Sequence, residues 1–149
     1  METHGAIYHH SRLTFHNGVT GIKYLILLNT PGKQEPYLFV KTTSQKKDKP
    51  STPGCIKDRR LFFIPGGKTF FWQDTWVQLY EIYEFTPHKI DNNKEITIEG
   101  RLDVKMIDDI VKCLFLSEED NISAIRKRLL RPPLHDSLQK LKDKFNKCQ

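Results

Sequence analysis

Short apolar segments separated by turn residues fill the chain up to residue 100, and this pattern predicts a β domain. The segments predicted as strands lie at residues 5–10, 22–28, 37–43, 60–64, 75–79 and 95–99. Glycine, proline and asparagine separate them, and these residues favour turns or interrupt the hydrogen bonds of a strand. In the first strand, alternation predicts that Ile7 and His9 face inward, while Tyr8 and His10 face the other way.

Other parts of this pattern carry specific expectations. Residues 44–59 are polar, basic and rich in proline, and they predict a long loop. Residues 80–93 contain a proline and a polar turn, so we expect no regular element there. Trp76 is expected in the core. Ile96 and Ile98 alternate with polar residues and are expected to face inward in the last strand.

After Gly100 the apolar residues take the spacing of a helix. The predicted apolar stripe comprises Leu102, Met106, Ile107, Ile110, Val111 and Leu114. Asp103 is placed to cap this helix. Ser117 and Asp120 resemble a capping box that begins a second helix. A third helix is expected to carry an apolar stripe that packs on its own domain or on a partner protein, formed by Leu134, Leu138, Leu141 and Phe145.

Strands followed by helices predict a fold that is mainly β with C-terminal helices. The number and shortness of the strands favour a small barrel with a covering helix. We expect the barrel domain to span residues 1–116 and a helical C-terminal extension to span residues 117–149.

The third predicted strand has an unusual end, because apolar Tyr37 to Val40 are followed by Lys41, Thr42, Thr43, Ser44 and Gln45. A strand that brings a cation and several hydroxyl groups to the edge of a sheet is suited to holding a phosphate. Polar residues at the end of a strand are also an ordinary way for the chain to leave a core. The sequence pattern leaves both interpretations open.

Composition adds a strong positive charge to this picture. The chain has 149 residues with 38% hydrophobic and 28% charged side chains, a formal charge of +6 and a pI near 9.2. Such a balance favours an anionic partner, most commonly nucleic acid, over a neutral one. Between residues 41 and 68 only Asp48 and Asp58 oppose eight cations: Lys41, Lys46, Lys47, Lys49, Lys57, Arg59, Arg60 and Lys68.

The sequence predicts a cytoplasmic protein. No apolar run approaches the roughly 20 residues that a membrane span needs, and the first residues lack the apolar core of a signal peptide. Cys55, Cys113 and Cys148 are widely spaced and odd in number, which indicates free thiols in a reducing compartment.

Five segments, in order, resemble the MazF/PemK family of toxin endoribonucleases. They are Gly-Ala-Ile-Tyr at 5–8, the apolar strand at 23–29, Phe-Val-Lys-Thr-Thr-Ser-Gln at 39–45, Asp-Thr-Trp-Val-Gln-Leu at 74–79, and Ile-Glu-Gly-Arg-Leu at 98–102. The resemblance implies a small SH3-like barrel that cleaves single-stranded RNA without a metal ion or cofactor. It also implies a cytoplasmic homodimer regulated by an antitoxin-like protein.

The resemblance also indicates site residues. Lys23 falls on the family's arginine position and Thr43 on its threonine position, with Thr42 beside it. His9 lies near the expected site, and imidazole suits proton transfer near neutral pH. The candidate RNA-binding residues are Ser44, Gln45, Lys41, Lys46, Lys47, Arg59, Arg60 and Trp72. The histidines and Cys55 match no standard ligand spacing, so no metal site is predicted.

Two departures from the family pattern support an alternative. Lysine is a point charge and lacks the planar fork with which arginine grips two phosphate oxygens, and Tyr24 stands where the family has proline. In this alternative, the protein is a catalytically inactive barrel that binds protein or nucleic acid as a regulatory module in a toxin–antitoxin or defence system. A third possibility is a general RNA- or DNA-binding domain that uses the basic segment from Lys41 to Lys68.

Overall fold

A computed structural model describes residues 3–130. The strands are β1 (Ala6–Thr14), β2 (Thr20–Leu27), β3 (Tyr37–Thr43), β4 (Gly54–Ile56), β5 (Leu61–Ile64), β6 (Thr75–Phe85) and β7 (Ile96–Arg101). The helices are α1 (Pro87–Asn92), α2 (Val104–Glu118) and α3 (Ala124–Leu129), with 3-10 turns at Lys57–Arg59 and Glu119–Asn121. The prediction of a mainly β fold with helices toward the C-terminus is confirmed.

All seven strands form one antiparallel sheet in the order β4-β5-β6-β3-β2-β1-β7. The last strand returns to pair with the first, with Ile7 opposite Gly100 and Tyr8 opposite Ile98. The sheet is not closed, so β4 and β7 are its edges. The SH3-like barrel stays a prediction.

The sheet has a hydrophobic core on each face, and β3 crosses its centre with all seven residues buried. On what we call the helix face, Leu38 and Val40 pack in one cluster with Ile107 of α2. On the opposite aromatic face, Tyr37 and Phe39 pack with residues that include Tyr8, Tyr83 and Phe85. A strand covered on both sides carries apolar residues at successive positions rather than at alternate ones.

This two-sided burial overturns the predicted orientation of the first strand. Ile7 and Tyr8 are both buried, one in each core. His10 is buried beside Phe85, whereas His9 is only partly buried. The predicted orientation of the two histidines was therefore wrong, because alternation separates core from solvent only where one face of the sheet is exposed to water.

Several element predictions also change. Residues 80–93 are regular, since β6 continues to Phe85 and α1 follows. Residues 44–59 contain the short edge strand β4. Ile96 is buried, but Ile98 is half exposed and does not face a core. Trp76 is buried as predicted.

The first predicted helix is confirmed with its cap, since the Asp103 side chain accepts a hydrogen bond from the Met106 backbone. Ser117 lies inside α2 and begins no helix, and the cap of α3 is Ser123. Residue 116 thus falls within a helix, and Ile122 and Leu130 pack in the helix-face core. The stripe predicted at residues 134–145 lies outside the described residues.

A disulfide joins Cys55 of β4 to Cys113 of α2, with their Cα atoms 5.4 Å apart. The prediction of free thiols is wrong for this pair. The two cysteines are 58 residues apart in the sequence, so the sequence did not indicate that they pair. They meet because the fold packs β4 against α2. Within residues 3–130, no helix has the length and apolar character needed to cross a membrane.

Candidate functional site

Lys23 and Thr43 lie where β2 and β3 separate. The last paired residues of the two strands are Leu25 and Lys41. One position further, the Thr42 hydroxyl donates a hydrogen bond of 3.1 Å to the carbonyl oxygen of Tyr24. Continuing the same antiparallel register sets Lys23 opposite Thr43. Strand alternation places both on the aromatic face with Leu25 and Lys41.

The turn between β1 and β2 folds an aromatic ring over this point. Phe15 lies against Gly21, where an added Cβ would come within 2.8 Å of the ring. A side chain at position 21 would therefore displace the ring. The Nζ of Lys41 is 4.6 Å and that of Lys23 is 5.8 Å from the centroid of Phe15. The two ammonium groups thus share one aromatic ring, an arrangement that is favourable for cations.

A bulge in β6 brings a carboxylate to the same place. Val40 pairs with Ile82, yet the next residue, Lys41, pairs with Gln78, so three residues of β6 have no partner on β3. One of these is Glu81, whose carboxylate is 3.2 Å from the Nζ of Lys41. Bulges of this kind re-aim side chains and are common beside functional sites.

Glu81 also connects the ion pair to Tyr83, whose ring contacts His16. The Tyr83 hydroxyl donates a hydrogen bond to the Glu81 carboxylate, and the exposed His16 ring lies 4.8 Å from that of Tyr83. Burial alone would raise the pKa of Glu81, but the hydrogen bond from Tyr83 and the charge of Lys41 outweigh it and lower that pKa. Glu81 is therefore held ionised.

The loop after β3 adds further positive charge. Burial lowers the pKa of the Lys23 ammonium, and the charges of Lys41, Lys49 and Lys47 lower it further. We call these four residues the lysine cluster. Among residues 3–130, no carboxylate forms an ion pair with Lys23 or Lys47. The cluster has a surplus of positive charge and is suited to an anion.

Two of the four residues predicted as catalytic lie apart from this cluster. Thr42 is buried on the helix face, with its hydroxyl directed at the Tyr24 carbonyl. His9 contacts the Tyr24 ring edge-on, and Tyr24 also contacts Phe71 of the helix-face core. Extension of the strand register thus sets Lys23 opposite Thr43, whereas Thr42 and His9 lie on the other face.

The predicted RNA-binding residues also lie in separate parts of the structure. Ser44, Gln45, Lys46 and Lys47 follow β3 and are exposed, and Lys41 is buried in its ion pair. Arg59 is bound to Asp48, and Arg60 lies between Glu118 and the Tyr80 ring. Trp72 is 79% exposed in the β5–β6 connection. Of these residues, only Lys41 and those that directly follow β3 lie at the same end of that strand as Thr43.

Sequence reasoning missed Phe15, Glu81 and Tyr83. Glu81 and Tyr83 lie in a segment expected to be irregular, and the bulge that directs Glu81 leaves no mark in the apolar pattern. Asn17 and Gly18 do predict a turn after Phe15. They do not predict which strand its ring covers.

Other parts of the described chain offer weaker sites. An open cavity of about 520 Å³ at α1 is lined by His88, Lys89, Asn92, Asn93, Lys94 and Glu95. None of the four residues of the lysine cluster lines it. Within residues 3–130, no three histidine, cysteine or acidic side chains are grouped as metal ligands.

Comparison with protein-family models gives no match for this chain, and comparison with curated proteins gives none either. Membership of the MazF/PemK family therefore stays a prediction from the five segments.

Proposed function

We propose that the protein binds single-stranded RNA at the lysine cluster and cleaves it beside Thr43, as the MazF/PemK resemblance implies. The observation that carries the proposal is the convergence of Lys23 and Lys41 on the Phe15 ring, with Thr43 on the same face. Surplus ammonium groups bind phosphates, and a neighbouring hydroxyl can hydrogen-bond a phosphate oxygen.

RNA fits this site chemically because it carries its own nucleophile. The 2′-hydroxyl attacks the adjacent phosphorus, the bond to the 5′-oxygen breaks, and the products are a 2′,3′-cyclic phosphate and a 5′-hydroxyl. The protein has to accept the proton of the 2′-hydroxyl, stabilise the negative charge on phosphorus and return a proton to the 5′-oxygen.

The residues of the site can divide these tasks. Lys23 lies beside Thr43 and stabilises the charge on phosphorus, and its lowered pKa makes it a better proton donor than an ordinary lysine. His16 is exposed at the rim, and its imidazole is the candidate for accepting the proton of the 2′-hydroxyl. Glu81 stays paired with Lys41 and Tyr83, so its part is to hold Lys41 in place.

A chimeric substrate tests this chemistry. Purified full-length protein is incubated with a labelled single-stranded RNA, and the products are identified by mass. We expect fragments that end in a 2′,3′-cyclic phosphate. A DNA oligonucleotide with a single ribonucleotide at the cleaved position should still be cut, whereas RNA with a single 2′-deoxy residue there should not. Cleavage of the deoxy substrate would overturn the proposed use of the 2′-hydroxyl.

Two observations favour binding without cleavage as a second function. Lys41 is already paired with Glu81, and Lys23 offers a point charge rather than a fork. A binding module would retain RNA in a gel shift and leave it intact under all conditions. The antitoxin-like partner, the homodimer and the cytoplasmic location implied by the resemblance stay predictions.

A further inference from the structure

The disulfide is linked mechanically to the lysine cluster. Cys55 lies in β4, an edge strand of three residues that, within residues 3–130, pairs with β5 alone. The 3-10 turn at Lys57–Arg59 follows β4 directly. From this turn the Arg59 guanidinium binds Asp48 twice, at 3.4 Å to its carboxylate and at 3.3 Å to its carbonyl oxygen.

Asp48 lies between the two loop residues of the cluster, Lys47 and Lys49. The Lys49 ammonium donates a 3.1 Å hydrogen bond to the Gln45 carbonyl oxygen, and the Gln45 backbone amide donates one of 3.2 Å to the Thr43 hydroxyl, so the segment is bound to the end of β3. The backbone of the same segment is held at Asp48 by Arg59, so its position depends on where β4 is held. Besides its short pairing with β5, β4 is held to α2 by the covalent bond to Cys113.

The two sulfurs have unequal environments. Cys55 is exposed, whereas Cys113 is 1% exposed within the helix-face core. A reductant can therefore reach the bond from the side of Cys55. The Cys113 sulfur is 3.6 Å from the Leu61 carbonyl oxygen and 3.8 Å from the Ser117 hydroxyl. A thiol formed there has acceptors at hand, so the fold can accommodate both redox states.

We propose that the Cys55–Cys113 disulfide is a redox switch that sets the position of the Lys46–Lys49 segment and thereby the RNA affinity of the lysine cluster. The bonded form is the form that binds tightly. The effect on RNA rests on the proposed function, whereas the effect on the segment does not.

The switching step is a thiol–disulfide exchange with a dithiol reductant. One thiolate of the reductant attacks the Cys55 sulfur, the protein disulfide breaks, and Cys113 leaves as a thiolate that takes up a proton. The second thiol of the reductant then displaces Cys55. The reductant becomes a disulfide, and the protein gains two electrons and two protons.

The test uses the full chain with Cys148→Ser, so that only the two bonded cysteines remain. Amide hydrogen exchange of residues 44–59 is measured before and after reduction with dithiothreitol. Affinity for a fluorescent single-stranded RNA is measured on the same samples. We expect reduction to lower the protection of residues 44–59 at least about tenfold, and to weaken RNA binding about fivefold. Cys55→Ser should reproduce both effects without reductant.

A matched pair of variants tests the mechanical link. Arg59→Ala should reproduce the loss of RNA affinity while the disulfide stays intact, and reduction should then add little. Lys57→Ala removes the same charge from the same 3-10 turn and should leave the redox response unchanged.

The outcomes separate the two proposals. Unchanged protection of residues 44–59 on reduction would overturn the switch, whether or not RNA binds. Lowered protection with unchanged RNA affinity would overturn its effect on binding. Absence of RNA binding in both redox states would overturn the proposed function, and hydrogen exchange would still decide whether the disulfide positions the segment.

Discussion

The Thr42 hydroxyl donates a 3.1 Å hydrogen bond to the carbonyl oxygen of Tyr24, just beyond the last paired residues of β2 and β3. This bond keeps the two strands adjacent at the point where their ladder ends. The neighbouring residues, Lys23 and Thr43, consequently stay side by side on the aromatic face. A buried residue of the helix face thus supports the arrangement of the candidate site on the other face.

The first prediction concerns the hydroxyl of Thr43. Thr43→Val keeps the shape of this buried side chain but removes the hydroxyl that we place beside the substrate phosphate. We expect cleavage of single-stranded RNA to fall about a hundredfold, as for the loss of one group that stabilises transition-state charge. Thr14→Val, an exposed β1 residue, is the control. Equal cleavage rates for the two variants would remove Thr43 from the site.

The second prediction concerns salt. Each phosphate contact on a single strand contributes about −0.7 to the slope of log K against log[salt]. Lys23, Lys47 and Lys49 together should give a slope of about −2, and Lys47→Ala should make it shallower by about 0.7. Lys33→Ala, an exposed lysine before β3, should not change the slope. A slope near zero for the wild-type protein would argue against binding through these lysines.

The third prediction concerns the ion pair between Glu81 and Lys41. The two side chains are 19% and 10% exposed, so Glu81→Gln leaves a largely buried ammonium group without its counterion. We expect the free energy of unfolding to fall by about 2 kcal/mol, less than for a fully buried pair because Glu81 keeps some contact with water. Glu84→Gln, on the same strand but 47% exposed, should cost less than about 0.5 kcal/mol.

The pH dependence of this difference follows from the lowered pKa of Glu81. A carboxyl group with a lowered pKa in the folded state stabilises the fold above its unfolded pKa, and this contribution is lost as the pH falls through the folded value. The difference in unfolding free energy between the wild-type protein and Glu81→Gln should have its full size at pH 7. It should shrink as the pH falls below 4.5, the ordinary pKa of a glutamate side chain. Urea unfolding at pH 7 and at low pH measures it. A gap that widens on acidification would contradict the assignment.

The fourth prediction concerns the disulfide. Its 58-residue separation restricts the unfolded chain, so Cys55→Ser in the Cys148→Ser background should lower the free energy of unfolding by about 3 kcal/mol. The exposed cysteine is chosen because substitution of buried Cys113 would also disturb the core. Cys148→Ser alone should unfold like the wild-type protein in denaturant. Identical unfolding of the single and double variants would show that the bond does not stabilise the fold.

The sequence patterns predicted the centre of the sheet well. The bounds of β3 agree with the prediction because an apolar run passes directly into polar residues. The predicted fifth strand was too short, because the β6 bulge at Tyr80 and Glu81 breaks the alternation before the strand resumes. The predicted orientation of His9 and His10 was wrong, because in a strand with a core on each side alternation separates the two faces but does not separate core from solvent.

The candidate site was predicted in part. Lys23 and Thr43 were predicted from the family resemblance, and extension of the β2–β3 register sets them opposite each other. Glu81 could not be predicted, because its approach to Lys41 depends on a bulge. The bond between Cys55 and Cys113 was missed for a similar reason, since only the packing of β4 against α2 brings the two residues together.

The most direct test of the account is the rate of single-stranded RNA cleavage by variants of Lys23. Lys23→Ala removes the ammonium group that the strand register sets opposite Thr43 and should lower the rate at least about a hundredfold, while Lys23→Arg keeps the charge but is a much poorer proton donor and should restore the activity only in part. Lys33→Ala should cleave at the wild-type rate. Cleavage by Lys23→Ala at the rate of the Lys33→Ala control would contradict the assignment of this site.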